Sequence, residues 1–266
     1  MVGNEAQARD LATTFRQKHN LEDRPLGDLF ELAAVLLGCD VLAMQSPAVE
    51  HGLTAQDPAG GTSGIAVAAT PHPMRQRSSI AHEIGHLLAG DPARSGSARP
   101  GVRTDAEIRA DAFARHLLLP LSAVRRRAAG VSDPEELLAQ LVQDFGLSPL
   151  AAAIQMAEAK VVTRSLADQL GSMASQQLAA RFGWLSQYKA MAAASQQERA
   201  PQRLMRRAVR AYQQGLLSLE EIALWYDGDA QELRLELGEP DLGSELDLDD
   251  EAPLIPAHLA HLFPPT

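Results

Sequence analysis

The chain has 266 residues, with 34 acidic side chains against 24 basic ones, 45% hydrophobic residues and a single cysteine. This length allows a substantial core and more than one domain, and the lone Cys39 excludes an internal disulfide. No charged start followed by an apolar segment and no run of about 20 apolar residues is present, so we expect a soluble cytoplasmic protein without a membrane partner.

The formal net charge of −10 is concentrated in one segment. Residues 227–251 contain eleven Asp or Glu residues and one Arg, which accounts for the whole excess. We expect this segment to be a solvated and partly disordered tail. The alternative is that it docks on a basic partner or on arginines of the same chain.

The first third of the chain predicts two helices followed by three strands. The helices cover residues 4–19 and, opened by Pro25, residues up to about 37. The strands cover residues 39–44, 51–55 and 64–69, separated by turns that contain Gly, Pro and Asp. We expect an α+β fold in which this small sheet packs on the next helix, followed by a mainly helical C-terminal region.

His82, Glu83 and His86 form the pattern HExxH in that next helix. Residues four apart lie on one face of a helix, so the two imidazoles can bind the same metal ion. Zinc accepts neutral imidazole nitrogen, and a catalytic zinc keeps one position open for water. Glu83 can then accept a proton from this water and later deliver it to the leaving amine.

Local signals suggest where this helix and its successor begin and end. Ser78 and Ser79 are candidate N-caps of the first helix, and Gly90 stands where its C-terminal cap is expected. The successor is predicted over residues 104–119, before a proline. Residues 95–103, rich in Ser, Gly and Arg, predict a flexible connection that could gate the site or be a surface loop without a role.

The successor helix supplies candidates for the remaining ligand. Glu107 and Asp111 are four apart, so both can face the two histidines. We predict that Glu107 is the third ligand and that Asp111 accepts a hydrogen bond from the distal nitrogen of a ligand histidine. The alternative for Glu107 is a capping box, Thr-Asp-Ala-Glu at 104–107, in which it would turn back to the Thr104 amide. Asp91 is the other acidic residue close behind the second histidine.

The sequence offers no clear donor for an oxyanion. His72 is a candidate donor, and the alternative is a solvent-exposed loop histidine. His116 lies about 180° from Glu107 around its helix, so it should face away from the metal. The C-terminal part would have to fold over the cleft to place a tyrosine there, since all three lie in it: Tyr188, Tyr212 and Tyr226.

Two sequence stretches beyond residue 120 resemble a helix-turn-helix, one at residues 145–159 and one at residues 211–221. The second helix of the first stretch carries no arginine. DNA binding there is not favoured, because it usually needs several cationic side chains that contact phosphates. A better candidate for contacting DNA is a group of five arginines, although the acidic tail could neutralise it. These residues are Arg199, Arg203, Arg206, Arg207 and Arg210.

The two metal-site motifs together resemble a known family. Residues 75–88 read RQRSSIAHEIGHLL, and residues 107–120 follow the pattern ExxADxFAxxLLLP. This combination resembles the ImmA/IrrE metallopeptidases, which are bacterial and phage zinc peptidases whose described members cleave a repressor. The resemblance covers roughly residues 25–160. One departure is that Ser78 and Ser79 stand where the family often has an aromatic residue and a threonine.

The resemblance implies roles for four residues: His82 and His86 as ligands, Glu83 as catalytic acid and base, and Glu107 as third ligand. It implies one Zn²⁺, with Mn²⁺ as an alternative, and a repressor-type protein as substrate. By resemblance to zinc peptidases, the last strand before the metal helix could bind an extended substrate by strand addition.

We therefore predict four segments and favour one of three functions. The segments are a zincin-like metallopeptidase domain (1–125), a helix-turn-helix-like extension (126–165), a helical region (166–226) and the acidic tail (227–266). The favoured function is a zinc-dependent endopeptidase that cleaves a specific intracellular regulatory protein, a transcriptional repressor. The alternatives are a zincin-scaffold module that binds without cutting and a DNA-binding regulator with a structural zinc. Glu83 favours catalysis, because a structural zinc needs no such glutamate.

Overall fold

The structure, a computed structural model, describes residues 3–45, 52–56, 63–91, 104–226 and 228–240. Its strands are β1 (Cys39–Met44), β2 (Gly52–Gln56) and β3 (Ser63–Ala68). Its helices are α1 (Asn4–Lys18), α2 (Leu29–Leu37), α3 (Pro73–Ala89), α4 (Asp105–Leu118), α5 (Leu121–Ala128), α6 (Pro134–Phe145), α7 (Pro149–Glu158), α8 (Arg164–Gly171), α9 (Ser175–Arg181), α10 (Leu185–Gln196), α11 (Gln202–Gln213), α12 (Leu219–Tyr226) and α13 (Ala230–Leu237). A small sheet thus precedes a mainly helical region, and the predicted α+β class is confirmed.

The two N-terminal helices differ in how well the sequence predicted them. α1 ends within one residue of the prediction. α2 begins at Leu29 rather than at Pro25, because Asp28 is its N-cap and the carboxylate accepts a hydrogen bond of 2.9 Å from the amide of Phe30. Gly38, with φ of 59°, ends α2 and leads directly into β1.

The sheet has the order β1-β3-β2, with β3 parallel to β1 and antiparallel to β2. Alternate side chains of β1 and β3, among them Val41 and Ile65, are buried in the main core. Cys39 is also fully buried, and burial raises the pKa of its thiol to about 12, as expected of a packing residue.

The strand order corrects one prediction. β3 is the last strand before the metal helix, but both of its edges are already paired, so it has no edge left for strand addition. The prediction failed because sequence order does not give spatial order: the chain places β2 on the far side of β3. β1 and β2 are therefore the edge strands of the described sheet, and the outer side of β1 carries a bridge between Ala43 and Arg199.

Helix α3 begins earlier than its serines suggested. Its first residue is Pro73, and Ser78 and Ser79 lie inside the helix, so the N-cap prediction is wrong. Proline suits a first helical turn, where its missing N–H would have had no acceptor. Gly90, with φ of 66°, ends the helix as predicted.

Gly85, inside the HExxH motif, sets how closely α3 approaches α4. A Cβ atom at this position would lie 2.9 Å from Cδ1 of Phe113 and 3.4 Å from Cα of Ala110. A side chain there would require Phe113 of α4 to shift. The glycine therefore lets the two helices that carry the predicted ligands pack against each other directly.

The helices after α4 extend the same core. Buried apolar residues form one cluster from Ala8 in α1 to Tyr188 in α10, and a smaller cluster lies between α11 and α12. The predicted boundaries at 125 and 165 fall within the larger cluster, and the four-segment division stays a prediction. The chain returns to the sheet where Arg199 pairs with Ala43 of β1 through two backbone hydrogen bonds of 2.9 Å.

Two further sequence patterns have structural counterparts. α6 and α7 meet at 115°, an angle typical of a helix-turn-helix, around Gly146 in a left-handed conformation. α13 lies inside the segment predicted as an acidic tail, so residues 230–237 are helical, and residues from 241 onwards lie outside the described part.

Within the described ranges no single helix is long and apolar enough to cross a membrane. α6 and α7 reach that length and apolar character only when they are taken together as a bent pair.

Candidate metal centre

His82, His86 and Glu107 bring one potential ligand atom each to a common point, all within 4.8 Å of one another. The Nε2 atoms of the two histidines are 3.0 Å apart. Oε2 of Glu107 lies 3.4 Å from Nε2 of His82, and Oε1 of Glu107 lies 3.3 Å from Nε2 of His86. Two imidazoles and one carboxylate are a donor set that zinc accepts while keeping a position open.

The other ring nitrogens explain why the two Nε2 atoms converge. Nδ1 of His82 lies 2.9 Å from Oδ1 of Asp111, and Nδ1 of His86 lies 2.9 Å from Oδ2 of Asp91. Each carboxylate favours the tautomer that carries its proton on Nδ1, which leaves both Nε2 lone pairs directed at Glu107. Two acceptor nitrogens and a carboxylate this close repel one another unless a cation lies between them. The residues present therefore fit a metal ion.

Asp111 has the contact predicted for it, whereas the role of Asp91 was missed. The sequence suggested Asp91 only as a substitute ligand. The turn at Gly90 brings it back toward α3, where its amide also donates to the carbonyl of His86 at 3.1 Å. Arg109 of α4 forms an ion pair with the carboxylate of Asp91. A C-terminal glycine directly before an aspartate was the signal that could have indicated this contact.

The surroundings of His82 change its acidity. Burial by itself disfavours the charged imidazole, but the hydrogen bond and charge of Asp111, with the charges of Glu83 and Glu107, outweigh it. The pKa of His82 is consequently raised above its ordinary value. The surroundings of His82 thus favour positive charge.

Of the capping box suggested by the sequence, the structure shows the half in which Thr104 caps the backbone of Glu107. The hydroxyl of Thr104 accepts a hydrogen bond of 3.3 Å from the backbone amide of Glu107, so the N-terminus of α4 is capped as the sequence suggested. The carboxylate of the same residue faces the two histidines. Backbone and side chain of Glu107 therefore serve different partners.

Glu83 is held by a strand that the sequence did not connect with it. Its side chain is 2% exposed, and its Oε2 accepts a hydrogen bond of 2.6 Å from the hydroxyl of Thr54. A Cβ atom at Gly52 would lie 2.8 Å from Cγ and 2.9 Å from Oε1 of Glu83. Residues two apart share one face of a strand, so β2 turns both Gly52 and Thr54 toward the glutamate. The sequence predicted this strand but not that it would contact Glu83.

The structure does not bring His72 to the metal group. It precedes the first residue of α3, ten residues before His82, which corresponds to about 15 Å along the helix axis. Its candidate role as oxyanion donor is not supported by this position. Tyr212 is engaged elsewhere, since its hydroxyl donates to the carbonyl of Gly238 at 2.7 Å.

His116 faces away from the metal group, as predicted. Its Nε2 lies 2.8 Å from Oε1 of Glu5 in α1, and its Nδ1 accepts a hydrogen bond of 3.1 Å from the amide of Gln155 in α7. The histidine thus links three helices on the opposite face of α4. The predicted gating loop at 95–103 lies outside the described residues.

Two of the five arginines considered for DNA are used inside the protein. Arg199 pairs with Asp28 at 2.6 Å, and Arg203 donates to the carbonyl of Gly38. The other three, Arg206, Arg207 and Arg210, are exposed on α11. In α7, the second helix of the first of these stretches, Ala152, Ala153 and Met156 are buried in the core.

Comparison with known proteins agrees with this geometry. Residues 36–156 match the Peptidase_M78 family model, described as an IrrE N-terminal-like domain, and no curated protein matches the chain. The matched range contains all residues of the metal group, and it supports a zincin-like metallopeptidase. Residues 36–156 are therefore similar to an IrrE N-terminal-like domain, which confirms the resemblance predicted from the two motifs.

Proposed function

We propose that the chain is a zinc-dependent endopeptidase that cleaves a specific regulatory protein, a transcriptional repressor, and thereby relieves repression. The convergence of His82, His86 and Glu107 beside the buried Glu83 carries the hydrolytic part of this proposal. The repressor as substrate rests on the family resemblance alone. Manganese is the alternative metal.

His82, His86 and Glu107 would hold the zinc, and Asp111 and Asp91 would keep the two imidazoles in the coordinating tautomer. When bound, zinc supplies a Lewis acid that polarises the substrate carbonyl and makes water more acidic. The chain's own contribution is to orient these donors before substrate arrives.

Glu83 would move the proton. The Thr54 hydroxyl holds Oε2 at 2.6 Å, which leaves Oε1 to take a proton from the attacking water. The water oxygen bonds to the carbonyl carbon, the peptide C–N bond breaks, and Glu83 returns the proton to the leaving amine. Its low exposure keeps competing water away from the carboxylate.

The edge of β2 is where we place the substrate. In the described part of the sheet, β2 pairs with β3 alone, and it carries the residues that touch Glu83. A peptide added along this edge would run beside the catalytic glutamate, with main-chain hydrogen bonds supplying affinity. Strand addition thus remains part of the proposal, with β2 in place of β3.

Cleavage of repressors encoded near the gene tests the proposal. The wild-type protein and Glu83→Gln are each incubated with zinc or manganese and each candidate repressor. Glutamine keeps the size of the side chain but cannot accept the proton, so we expect a cut target with wild type only and equal metal content in both. Metal analysis of the purified protein, and reactivation after chelation, identifies the metal.

Other outcomes would favour the alternatives. Stable binding of a repressor by both proteins without cleavage would overturn proteolysis and support a binding module. A gel shift with DNA that survives chelation would support a DNA-binding regulator.

The position of the substrate needs a separate test, using a peptide that spans the cleavage site. Methylation of one backbone amide at a time removes single hydrogen bonds to a β edge. We expect weaker binding at alternate positions, because a strand donates to a given neighbour at every second residue. Uniform effects along the peptide would contradict strand addition while leaving the hydrolytic proposal intact.

A further inference from the structure

The carboxylate of Asp91 contacts residues of two different helices. Its Oδ2 lies 2.9 Å from Nδ1 of His86 in α3, and its Oδ1 forms an ion pair with the guanidinium of Arg109 in α4. The backbone amide of Asp91 also donates to the carbonyl of His86 at 3.1 Å. α3 therefore holds the backbone of Asp91, and α4 holds the far side of its carboxylate.

One turn of α4 acts on both ring nitrogens of His86. Oε1 of Glu107 lies 3.3 Å from Nε2 of this histidine. Arg109, two residues further along the helix, contacts the carboxylate that faces Nδ1. Contacts thus run in a closed ring, from His86 through Asp91 and Arg109 to α4, and from Glu107 of α4 back to His86. Removing Arg109 opens this ring on the side that orients the imidazole.

The arrangement at His82 is more direct. Its Nδ1 lies 2.9 Å from Oδ1 of Asp111, which belongs to α4 itself. Asp91 instead lies beyond the C-terminal glycine of α3, so its carboxylate depends on side-chain contacts for its orientation. The side chains of Arg109 and Asp91 are only 23% and 14% exposed, and partial exclusion of water strengthens an ion pair. Arg109 is thus placed to keep this carboxylate in one orientation.

We propose that Arg109 is a positioning residue of the zinc site. By pairing with Oδ1 of Asp91 it keeps Oδ2 on Nδ1 of His86, and Nε2 of His86 then stays directed at the metal position. The effect should appear in zinc affinity, because an imidazole that can turn spends less time in the coordinating orientation. The inference rests on the metal site of the proposed function, and it does not depend on which protein is cleaved.

Zinc affinity of the full chain, measured by competition with a chromogenic chelator, tests the role of Arg109. We expect Arg109→Gln to weaken zinc binding about fivefold to tenfold, less than Asp91→Asn, because Asp91 keeps its direct contact with His86. Arg115→Gln is the matched control. Arg115 lies on the same helix, is 18% exposed, and pairs at 2.7 Å with Glu5 of α1 instead of a residue of the metal group. Its loss should leave zinc affinity unchanged.

A double-mutant cycle separates action through Asp91 from a general loss of stability. If Arg109 acts through Asp91, then Arg109→Gln should change zinc affinity little in a protein that already carries Asp91→Asn. A loss of the same size in both backgrounds would overturn the proposal, because it would show that Arg109 acts by another route. Zinc affinity that is equal in Arg109→Gln and in wild type would overturn it as well.

Arg109→Lys decides the question if Arg109→Gln does not fold, which thermal unfolding of the metal-free protein checks. Lysine keeps the charge but replaces the planar fork by a single ammonium group. We expect zinc to bind about threefold more weakly than to wild type, and this loss too should vanish beside Asp91→Asn; an equal loss in both backgrounds contradicts the inference alone. A wild-type protein that binds no zinc would overturn the proposed metal site and this inference with it.

Discussion

The hydroxyl of Thr54 donates a hydrogen bond of 2.6 Å to Oε2 of Glu83 in a site where the two residues are 9% and 2% exposed. The contact joins strand β2 to the helix that carries the candidate ligands. The strand proposed to hold the substrate therefore also orients the proposed proton acceptor, so the position of the scissile peptide and that of the glutamate depend on one element.

Replacing Thr54 by valine should slow target cleavage while leaving metal content and KM nearly unchanged. The substitution keeps the shape but removes a hydrogen bond to a charged group, and we expect kcat to fall about 10- to 100-fold. Thr54→Ser restores the hydroxyl and should recover most of the rate. A valine variant with full kcat would show that the bond does not matter for the reaction.

Gly52→Ala should abolish cleavage in a protein that remains folded. The new Cβ would lie 2.8 Å from Cγ of Glu83, too close for the glutamate to keep its position. The matched control is Gly64→Ala in the neighbouring strand β3, where the nearest atom, the carbonyl oxygen of Asp40, would be 3.9 Å away. Circular dichroism checks the fold, and cleavage assays should separate the two variants. Equal activity of both would contradict the proposed role of Glu83.

Asp91→Asn and Asp111→Asn should each weaken zinc binding about 10- to 100-fold, because both carboxylates orient a ligand histidine. Competition with a chromogenic chelator measures the affinity. Asp10→Asn, an exposed position on α1, is the control and should bind zinc as the wild type does. An unchanged affinity for Asp91→Asn would mean that His86 is oriented without it.

Glu5→Gln should lower stability at neutral pH by about 1 kcal/mol, since it weakens contacts with His116 and Arg115 at 2.8 and 2.7 Å. The hydrogen bond from His116, opposed by burial and aided by Arg115, lowers the pKa of Glu5 from 4.5 to about 2. A lowered pKa stabilises the fold above the unfolded value of 4.5, and that stability is lost as the pH falls toward 2.

Denaturant unfolding across this pH range checks the Glu5 prediction. The difference between wild type and Glu5→Gln should be complete above pH 4.5 and should narrow as the pH falls toward 2. A difference that stays constant over the range would mean that ionisation of Glu5 does not contribute. Asp10→Asn should show little change at any pH.

Local periodicity explains what the sequence predicted well. The spacing of four residues between His82 and His86, and again between Glu107 and Asp111, fixes two faces on two helices without knowledge of anything else. Short runs between turn residues likewise located all three strands to within a residue or two. The predicted starts of α2 at Pro25 and of α3 at Ser78 were wrong. Several polar residues or prolines near each start could begin the helix, and the local sequence does not decide between them.

By itself, the sequence determined the two metal-site helices and their candidate ligands, because a helix repeats every 3.6 residues and so converts spacing into direction. Only the tertiary structure decided that β3 is central and β2 an edge strand, that Asp91 holds His86, and that Thr54 holds Glu83. These contacts join segments whose relative positions depend on strand order and on a turn at Gly90. Periodicity specifies the faces of such segments but not which faces meet.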